Sequence, residues 1–188
     1  MLIAHAPAGY VLSKIMMKLP KKSSKLYLVA GLTGSVICDA DLIYQFYYDD
    51  MSVNHHDYWT HIPYYWSFFL VVPILSWVFS KRLSIASSFF LAGVFLHLTL
   101  DSVLTGIKWK YPVDDSYIGI IPISDVKVLV SPTKIHHLFE NEFISLGVRG
   151  WMYNFGSHWT FNIEIAICTA AFLLLVLSSI KSNILSNP

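Results

Sequence analysis

Charged residues are scarce in this sequence. Only 13% of its 188 residues are Asp, Glu, Lys or Arg, whereas a soluble domain usually carries about 25%. The formal net charge of +1 gives a nucleic-acid partner no electrostatic support. The hydrophobic share of 55% and the mean hydropathy of +0.53 instead predict an integral membrane protein whose partner is the lipid bilayer.

Cysteine is nearly absent as well. Cys38 and Cys168 both lie inside apolar runs, without the paired spacing of a redox or cysteine-rich zinc site. One disulfide would not hold a fold of this kind, so we expect both to be small buried residues. Segment 1–9 lacks the lysines and arginines that begin a secretory signal peptide, and we therefore expect the N-terminus to be retained.

The sequence contains several long apolar segments. They predict an all-α fold, an integral membrane helical bundle with about four spanning helices, because a helix needs about 20 apolar residues to cross a bilayer. The predicted spans are 26–48, 61–80, 83–107 and 161–180. Segment 1–19 is shorter and more polar, which leaves open whether it spans the membrane or forms a half-inserted helix. We treat 1–188 as a single domain in which 108–160 is a long loop region, with a short hairpin predicted around 118–130.

The basic residues predict an orientation. They cluster at 14–25, 81–82 and 181, whereas the loop 49–60 has none. Because lysine and arginine are enriched on the cytoplasmic side of membrane proteins, we expect these clusters to be cytoplasmic. The loops 49–60 and 108–160 would then face outward.

The apolar run 92–101 carries two polar residues, His97 and Asp101. Positions i and i+4 lie on one face of a helix, so both side chains point the same way. Counted from Leu83 at 1.5 Å per residue, they lie roughly 21 and 27 Å along their span. This depth places them in the outer third of the membrane.

The other acids and histidines of the apolar segments reach the same level by the same count. They are His5, Asp39, Asp41 and Glu164; His61 opens its span at the outer end, and His55 and His56 precede it. Ionisable groups at this depth are costly unless they are paired, hydrated or bound to a metal. Their shared level therefore predicts one site.

Imidazoles and carboxylates together suit a divalent metal ion, namely Zn²⁺, Mn²⁺ or Fe²⁺, and their number suits one or two ions. Each residue also has an ordinary explanation. Asp39 and Asp41 can end a helix, His97 can be a core histidine, and Glu164 can favour the helix dipole. His158, just before the last span, can lie at the interface.

The motifs resemble those of the YdjM-like family, described as LexA-regulated, membrane-bound metal-dependent hydrolases. The early histidine is His5, and Asp39-Ala40-Asp41 matches the Asp-x-Asp at the end of an apolar helix. The segment 56–61 keeps both histidines and the threonine of the family's His-Arg-Gly-x-Thr-His-Ser motif. The later matches are His97 and Asp101 as His-x-x-x-Asp, then Thr105-Gly106 and Tyr111-Pro112. This chain departs from the pattern at Cys38 for proline, Asp57-Tyr58 for Arg-Gly, Ile62 for serine and Tyr111 for tryptophan.

The resemblance implies an inner-membrane, metal-dependent hydrolase that uses a metal-activated water. The expected ligands are His5, Asp39, Asp41, His56, His61, His97 and Asp101, and the residues expected to move protons are Asp41, Glu164 and His158. The depth of the site suggests a lipid or lipid-linked ester or phosphoester as substrate. Two alternatives remain: a non-catalytic metal-binding or ion-transporting bundle, and a closed structural metal site that only ties the helices together.

Overall fold

The computed structural model describes residues 3–18, 24–48, 54–104, 106–119 and 159–186. Within these ranges the regular structure is helical, and strand pairing is limited to an isolated antiparallel bridge between Ile107 and Ile118. The α-helices are α1 His5–Met16, α2 Lys25–Gly34, α3 Asp41–Tyr48, α4 Pro63–Ser67, α5 Val71–Phe79, α6 Lys81–Leu104 and α7 Trp159–Ser186. Short 3₁₀ turns lie at Cys38–Ala40, His55–Asp57, Trp59–His61 and Phe68–Leu70.

Among the described residues, two helices are long and apolar enough to cross a membrane. They are the stretch Lys81–Val103 of α6 and the stretch Phe161–Ile180 of α7. The number rises to three only if the bent pair Lys25–Gly34 and Cys38–Gln45 is counted as one span. The described part of the chain is therefore a helical fold with two or three candidate membrane spans, and the predicted total of about four spans is not confirmed.

The predicted span 61–80 is replaced by a shorter apolar helical stretch, Pro63–Phe79. Pro73 has no N–H and crowds the carbonyl one turn before it, and the chain just ahead of it adopts the 3₁₀ turn Phe68–Leu70. This stretch packs against α6. The hydroxyl of Ser84, in α6, donates a hydrogen bond to the Pro73 carbonyl at 2.6 Å.

The predicted span 26–48 is bent by 58° between α2 and α3. The bend follows Gly34. The Val36 N–H donates a hydrogen bond to the Thr33 carbonyl, three residues back, which tightens the last turn. As a result the Ser35 carbonyl, at the bend, is available to a side chain of another helix. The bend thus turns what looked like a continuous span into a polar corner that carries Asp39 and Asp41.

Helix α6 is central, and it packs against α1, α2, α4 and α5. Its contact with α2 is close enough to bring the two backbones together. A Cβ atom added to Gly34 would lie 2.0 Å from the Phe90 carbonyl oxygen, and one added to Gly93 would lie 2.4 Å from that of Gly31. Small residues permit such close approach between helices in membranes.

The first helix, α1, has 12 residues and a length of about 18 Å, which is short of the roughly 30 Å hydrocarbon core. It packs against α2, α6 and α7. Its first residue, His5, is buried at the same end of the bundle as Asp101 near the end of α6.

Three smaller expectations have mixed outcomes. Cys38 is buried as predicted, but Cys168 is only half-buried, because α7 exposes most of its surface. Of the hairpin predicted around 118–130, the structure describes only the start, where Ile118 pairs with Ile107. The remainder of that hairpin, His158 and most of the loop 108–160 lie outside the described residues.

Candidate metal centre

The structure brings all seven residues expected as ligands to one place. They come from four separate parts of the chain: the start of α1, the bend between α2 and α3, the two 3₁₀ turns after α3, and the last turns of α6. Their side chains contact one another directly through nitrogen and carboxylate oxygen atoms.

Four donor atoms converge most closely. The Nε2 atoms of His61 and His97 lie 3.2 Å apart, and Asp101 Oδ2 lies 3.0 Å from that of His97 and 3.7 Å from that of His61. Asp39 Oδ1 lies 3.6 Å from His97 Nε2 and 3.9 Å from His61 Nε2. A tetrahedral zinc site with bonds near 2.0–2.1 Å has donor atoms about 3.3 Å apart. The donor atoms of His61, His97 and Asp101 therefore have nearly the spacing of ligands around one ion, and Asp39 Oδ1 lies within 3.9 Å of both imidazole nitrogens.

The other nitrogen of each imidazole fixes its tautomer. His97 Nδ1 lies 2.9 Å from the Ser35 carbonyl oxygen, and His56 Nδ1 lies 3.3 Å from that of Gly106. A carbonyl oxygen only accepts hydrogen bonds, so both Nδ1 atoms carry the proton and donate it. In the neutral form of each ring, Nε2 is then the unprotonated nitrogen and it faces the cluster, as in metal-binding histidines.

Asp41 fixes the tautomer of His61 in the same way. His61 Nδ1 donates to Asp41 Oδ2 at 2.7 Å, and the hydroxyl of Thr60 donates to the same oxygen. Metal-binding histidines commonly give their second N–H to a carboxylate, which orients the ring. The described contacts of Asp41 thus orient His61, and they do not place this oxygen beside the four converging donors.

Burial keeps the histidines before α4 neutral. Burial lowers the pKa of both His56 and His61 to about 3, although the nearby Asp101 carboxylate opposes the shift. A neutral imidazole is the form that binds a metal ion. His56 and His61 therefore present lone pairs, not cations, to the cluster at neutral pH.

His5 and Asp101 extend the cluster beyond the first four atoms. His5 Nε2 lies 3.1 Å from Asp101 Oδ1, and its ring stacks on that of His97 with centroids 3.8 Å apart. Asp101 thus presents one oxygen to His5 and the other to His97, His61 and His56. Such a carboxylate can serve one ion or lie between two.

His55 belongs to the neighbourhood, although it was not among the expected ligands. Its ring centroid lies 4.2 Å from that of His56 and 4.9 Å from that of His61. Among the described residues, donor atoms lie within 4.8 Å of one another in the groups His55 with His56 and His61, His5 with His97 and Asp101, and Asp39 with His61 and His97. The signal for His55 was its position beside His56 in one short turn.

Glu164 is fully buried and is not part of these three groups. Its Oε2 accepts a hydrogen bond from the backbone N–H of Ile3 at 2.7 Å. This contact joins α7 to the residues just before α1. It places Glu164 where it can hold the start of α1, which carries His5.

The site opens toward its surroundings at Asp39. The side chains of His61 and His97 are fully buried and that of Asp101 is 3% exposed, whereas that of Asp39 is 32% exposed. Val36 and Ile43, one turn before and after it, are exposed apolar residues. The described opening is thus bordered by apolar surface of the bent helix pair.

A family model described as YdjM inner membrane protein matches residues 1–185. The chain belongs to this family. The match extends past the segment whose motifs carry the resemblance, and it confirms the assignment made from those motifs. No significant match was found among the curated proteins or among the solved structures. The YdjM assignment and the apolar helices establish a membrane protein of an inner-membrane family, whereas the chemistry of the site rests on its geometry.

Proposed function

We propose that this YdjM-family protein is a membrane-bound metal-dependent hydrolase of a lipid or lipid-linked ester or phosphoester. The observation that carries the proposal is the pair of facing Nε2 atoms of His61 and His97, 3.2 Å apart and beside two carboxylates. When both rings are neutral and protonated at Nδ1, the two Nε2 lone pairs repel each other at this distance in a buried site. A cation bound between them relieves that repulsion.

The donor set fits a divalent ion such as Zn²⁺, Mn²⁺ or Fe²⁺. His61, His97, Asp39 and Asp101 would hold one ion, and His5 and His56 supply donors for a second around Asp101. Nitrogen with carboxylate oxygen is the mixture that these metals accept. A divalent ion held there would polarise an ester or phosphoryl oxygen and make a water molecule a stronger nucleophile.

The chain's own groups have separable tasks. Asp41 holds the proton at His61 Nδ1 and is the carboxylate assigned to proton transfer. The buried histidines exclude bulk water, and Asp39 stands at the opening where a substrate arrives. Glu164 and His158 were expected to help move protons; the described contact of Glu164 favours a role in holding α1, and His158 lies outside the described residues.

The surroundings of Asp39 support an amphiphilic substrate. A water-soluble ester gains nothing from the exposed apolar residues Val36 and Ile43 beside the opening. A lipid can place its acyl chain against them while its ester or phosphoester reaches Asp39. This surface also favours hydrolysis over a purely structural metal site, which would enclose all of its donors.

The distribution of charge along the helices supports an outward-facing site. Lys81 and Arg82 begin α6, whereas His97 and Asp101 lie toward its other end. Helix α1 runs the opposite way, with His5 at its start and Lys14 in its last turn. The basic residues of these two helices thus lie at the end of the bundle away from the site, the end that the positive-inside rule favours for the cytoplasm.

The test is metal content and hydrolysis in the detergent-purified protein. Wild type, His61→Ala and Asp101→Ala are compared by elemental analysis, with Asp114→Ala as a control, since Asp114 pairs with Lys110 away from the cluster. We expect about one or two ions in wild type and the control, and loss in the two site variants. Equal metal content in all four proteins would contradict the metal centre. Metal binding without hydrolysis of any ester or phosphoester lipid would contradict the enzyme and favour a structural or transport role.

A further inference from the structure

His56 lies on a turn that has little structure of its own. The 3₁₀ turn His55–Asp57 has three residues, and its local hydrogen bonds run back to Asn54 and on to Tyr58. Three residues in this form do not make a stable unit by themselves. The position of His56 therefore depends on contacts with other parts of the chain.

Those contacts come from the segment 106–118, directly after α6. Gly106 has φ +77° and its N–H donates to the Asp101 carbonyl, so the chain turns back at the end of α6. The next residue, Ile107, exchanges two backbone hydrogen bonds with Ile118, at 3.0 and 2.9 Å. This pairing sets Lys108 and Tyr117 beside each other.

Lys108 and Tyr117 both bind Asp57. Lys108 Nζ lies 2.8 Å from Asp57 Oδ1, and the Tyr117 hydroxyl donates to the same oxygen. Lys108 also lies 3.0 Å from Asp115 Oδ1 and over the ring of Tyr117 at 5.1 Å. Although burial opposes the shift, the hydrogen bonds with Asp57 and Asp115 raise the pKa of Lys108 above its ordinary value. Lys108 therefore stays charged.

We propose that Lys108 is a positioning residue for His56: through Asp57 it clamps the turn His55–Asp57 to the end of the helix that carries His97 and Asp101. The clamp acts at two adjacent points, because the Gly106 carbonyl binds His56 Nδ1 while Lys108 binds the neighbouring Asp57. This inference rests on the proposed metal centre, in which His56 is a donor. It assigns a task to Asp57, which stands where the family motif has arginine.

Lys108 is poorly suited to bind substrate. Its side chain is 12% exposed, and two carboxylates already surround its ammonium group. An anionic substrate would have to displace both. Lys110, two residues on, is the matched control, because its side chain is 62% exposed and it pairs only loosely with Asp114 at 3.7 Å.

The test measures metal affinity in the full-length, detergent-purified protein, with Zn²⁺ in competition with a chromophoric chelator. We expect Lys108→Met to weaken binding by about tenfold, in the range that loss of an outer partner of a ligand usually costs. Lys110→Met should stay within about twofold of wild type on that scale. Lys108→Arg, which keeps the charge and the donors, should recover most of the loss.

The second measurement separates positioning from general stability. In a His56→Ala background, Lys108→Met should cause no further loss of affinity, because the residue it positions is gone. With Co²⁺ as the probe, the visible spectrum of Lys108→Met should shift toward that of His56→Ala. Asp57→Asn, which keeps the size of the side chain, should reproduce both results if Lys108→Met folds poorly.

Three outcomes would overturn the inference. If Lys108→Met binds Zn²⁺ as tightly as Lys110→Met does, the clamp is contradicted and the metal centre is not. A full tenfold loss that persists in the His56→Ala background would show that Lys108 acts on the fold and not on His56. Wild-type protein that binds neither Zn²⁺ nor Co²⁺ would refute the metal centre itself, and the clamp with it.

Discussion

The Nε2 atoms of His61 and His97 face each other at 3.2 Å across a fully buried space, although the residues lie 36 positions apart in the chain. Each ring gives its other nitrogen to an oxygen, of Asp41 or of the Ser35 carbonyl. When both rings are neutral, neither Nε2 can then donate a hydrogen bond to the other. On the proposed function, the pair binds a divalent cation that lies between the two nitrogen atoms.

Loss of the Asp41 carboxylate should weaken metal binding without removing a donor from the converging set. Asp41→Ala leaves His61 free to change its tautomer and to rotate, so we expect Zn²⁺ affinity to fall by about 10- to 100-fold. Asp41→Asn keeps an acceptor oxygen and should lose less. Chelator competition measures both, with Asp114→Asn as the control. Wild-type affinity in Asp41→Ala would contradict the role assigned to the carboxylate.

Removal of metal should destabilise the protein. An ion that binds the folded state at a free concentration of about 100 times its Kd stabilises that state by about 2.7 kcal/mol. We therefore expect EDTA to lower the apparent melting temperature and Zn²⁺ to restore it. Asp101→Ala, in which the shared carboxylate is missing, should show neither change. A melting temperature that ignores both reagents in wild type would argue against a bound ion.

Gly93→Ala should disturb the bundle directly below the site. Its new Cβ would lie 2.4 Å from the Gly31 carbonyl oxygen and 2.8 Å from the Ser35 nitrogen, both of them backbone atoms that cannot rotate away. Overpacking typically costs about 1–3 kcal/mol, and the displaced Ser35 carbonyl would also release His97. We expect both the melting temperature and the Zn²⁺ affinity to fall. Ala170→Ser, at an exposed position of α7, adds one heavy atom and should change neither.

Substitutions of Glu164 distinguish a structural role of this residue from a catalytic role. Glu164→Leu removes the acceptor of the Ile3 N–H, and a buried group left without its partner costs about 1–3 kcal/mol. We expect a lower melting temperature. We also expect weaker metal binding, because Ile3 lies two residues before His5, whose ring is part of the cluster. Glu164→Gln retains an acceptor oxygen and should lose less of both. If Glu164→Gln instead abolished lipid hydrolysis at unchanged stability and metal content, Glu164 would be a proton carrier.

The apolar border of Asp39 should matter only for lipid substrates. Ile43→Ser removes an exposed apolar side chain beside the opening, and we expect KM for a long-chain ester in mixed micelles to rise about tenfold, equal to about 1.4 kcal/mol of lost contact. Turnover of a short, soluble ester should not change. Val78→Ser, on the exposed surface of α5, is the control. Equal effects on both substrates would remove the argument for a lipid.

The meeting of the polar side chains was predictable from helical geometry. His97 and Asp101 share a face and a depth, and Asp39 and Asp41 reach the same depth from the other helix, so their approach required only that α2 and α6 pack side by side. The glycines of both helices allow that packing. The role of these residues as metal ligands remains a prediction.

Other features left little trace in the sequence. The bend after Gly34 occurs without a proline, and the Ser35 carbonyl that binds His97 is a backbone group that any residue supplies. The segment 61–80 has the composition of a span, and only Pro63 and Pro73 hint at its shorter helices. The pairing of Lys108 with Asp57 joins positions 51 residues apart in sequence and depends on how the chain turns at Gly106.

The unequal exposure of the donors has a consequence for kinetics. On the proposed function, an ion that enters or leaves among the described donors passes Asp39, because the other converging groups are sealed inside the bundle. Asp39 then has two effects: it is one of the proposed donors of the ion, and it borders the route by which the ion is exchanged. A substitution of Asp39 should therefore change the rate of loading in a cell as well as the occupancy at equilibrium.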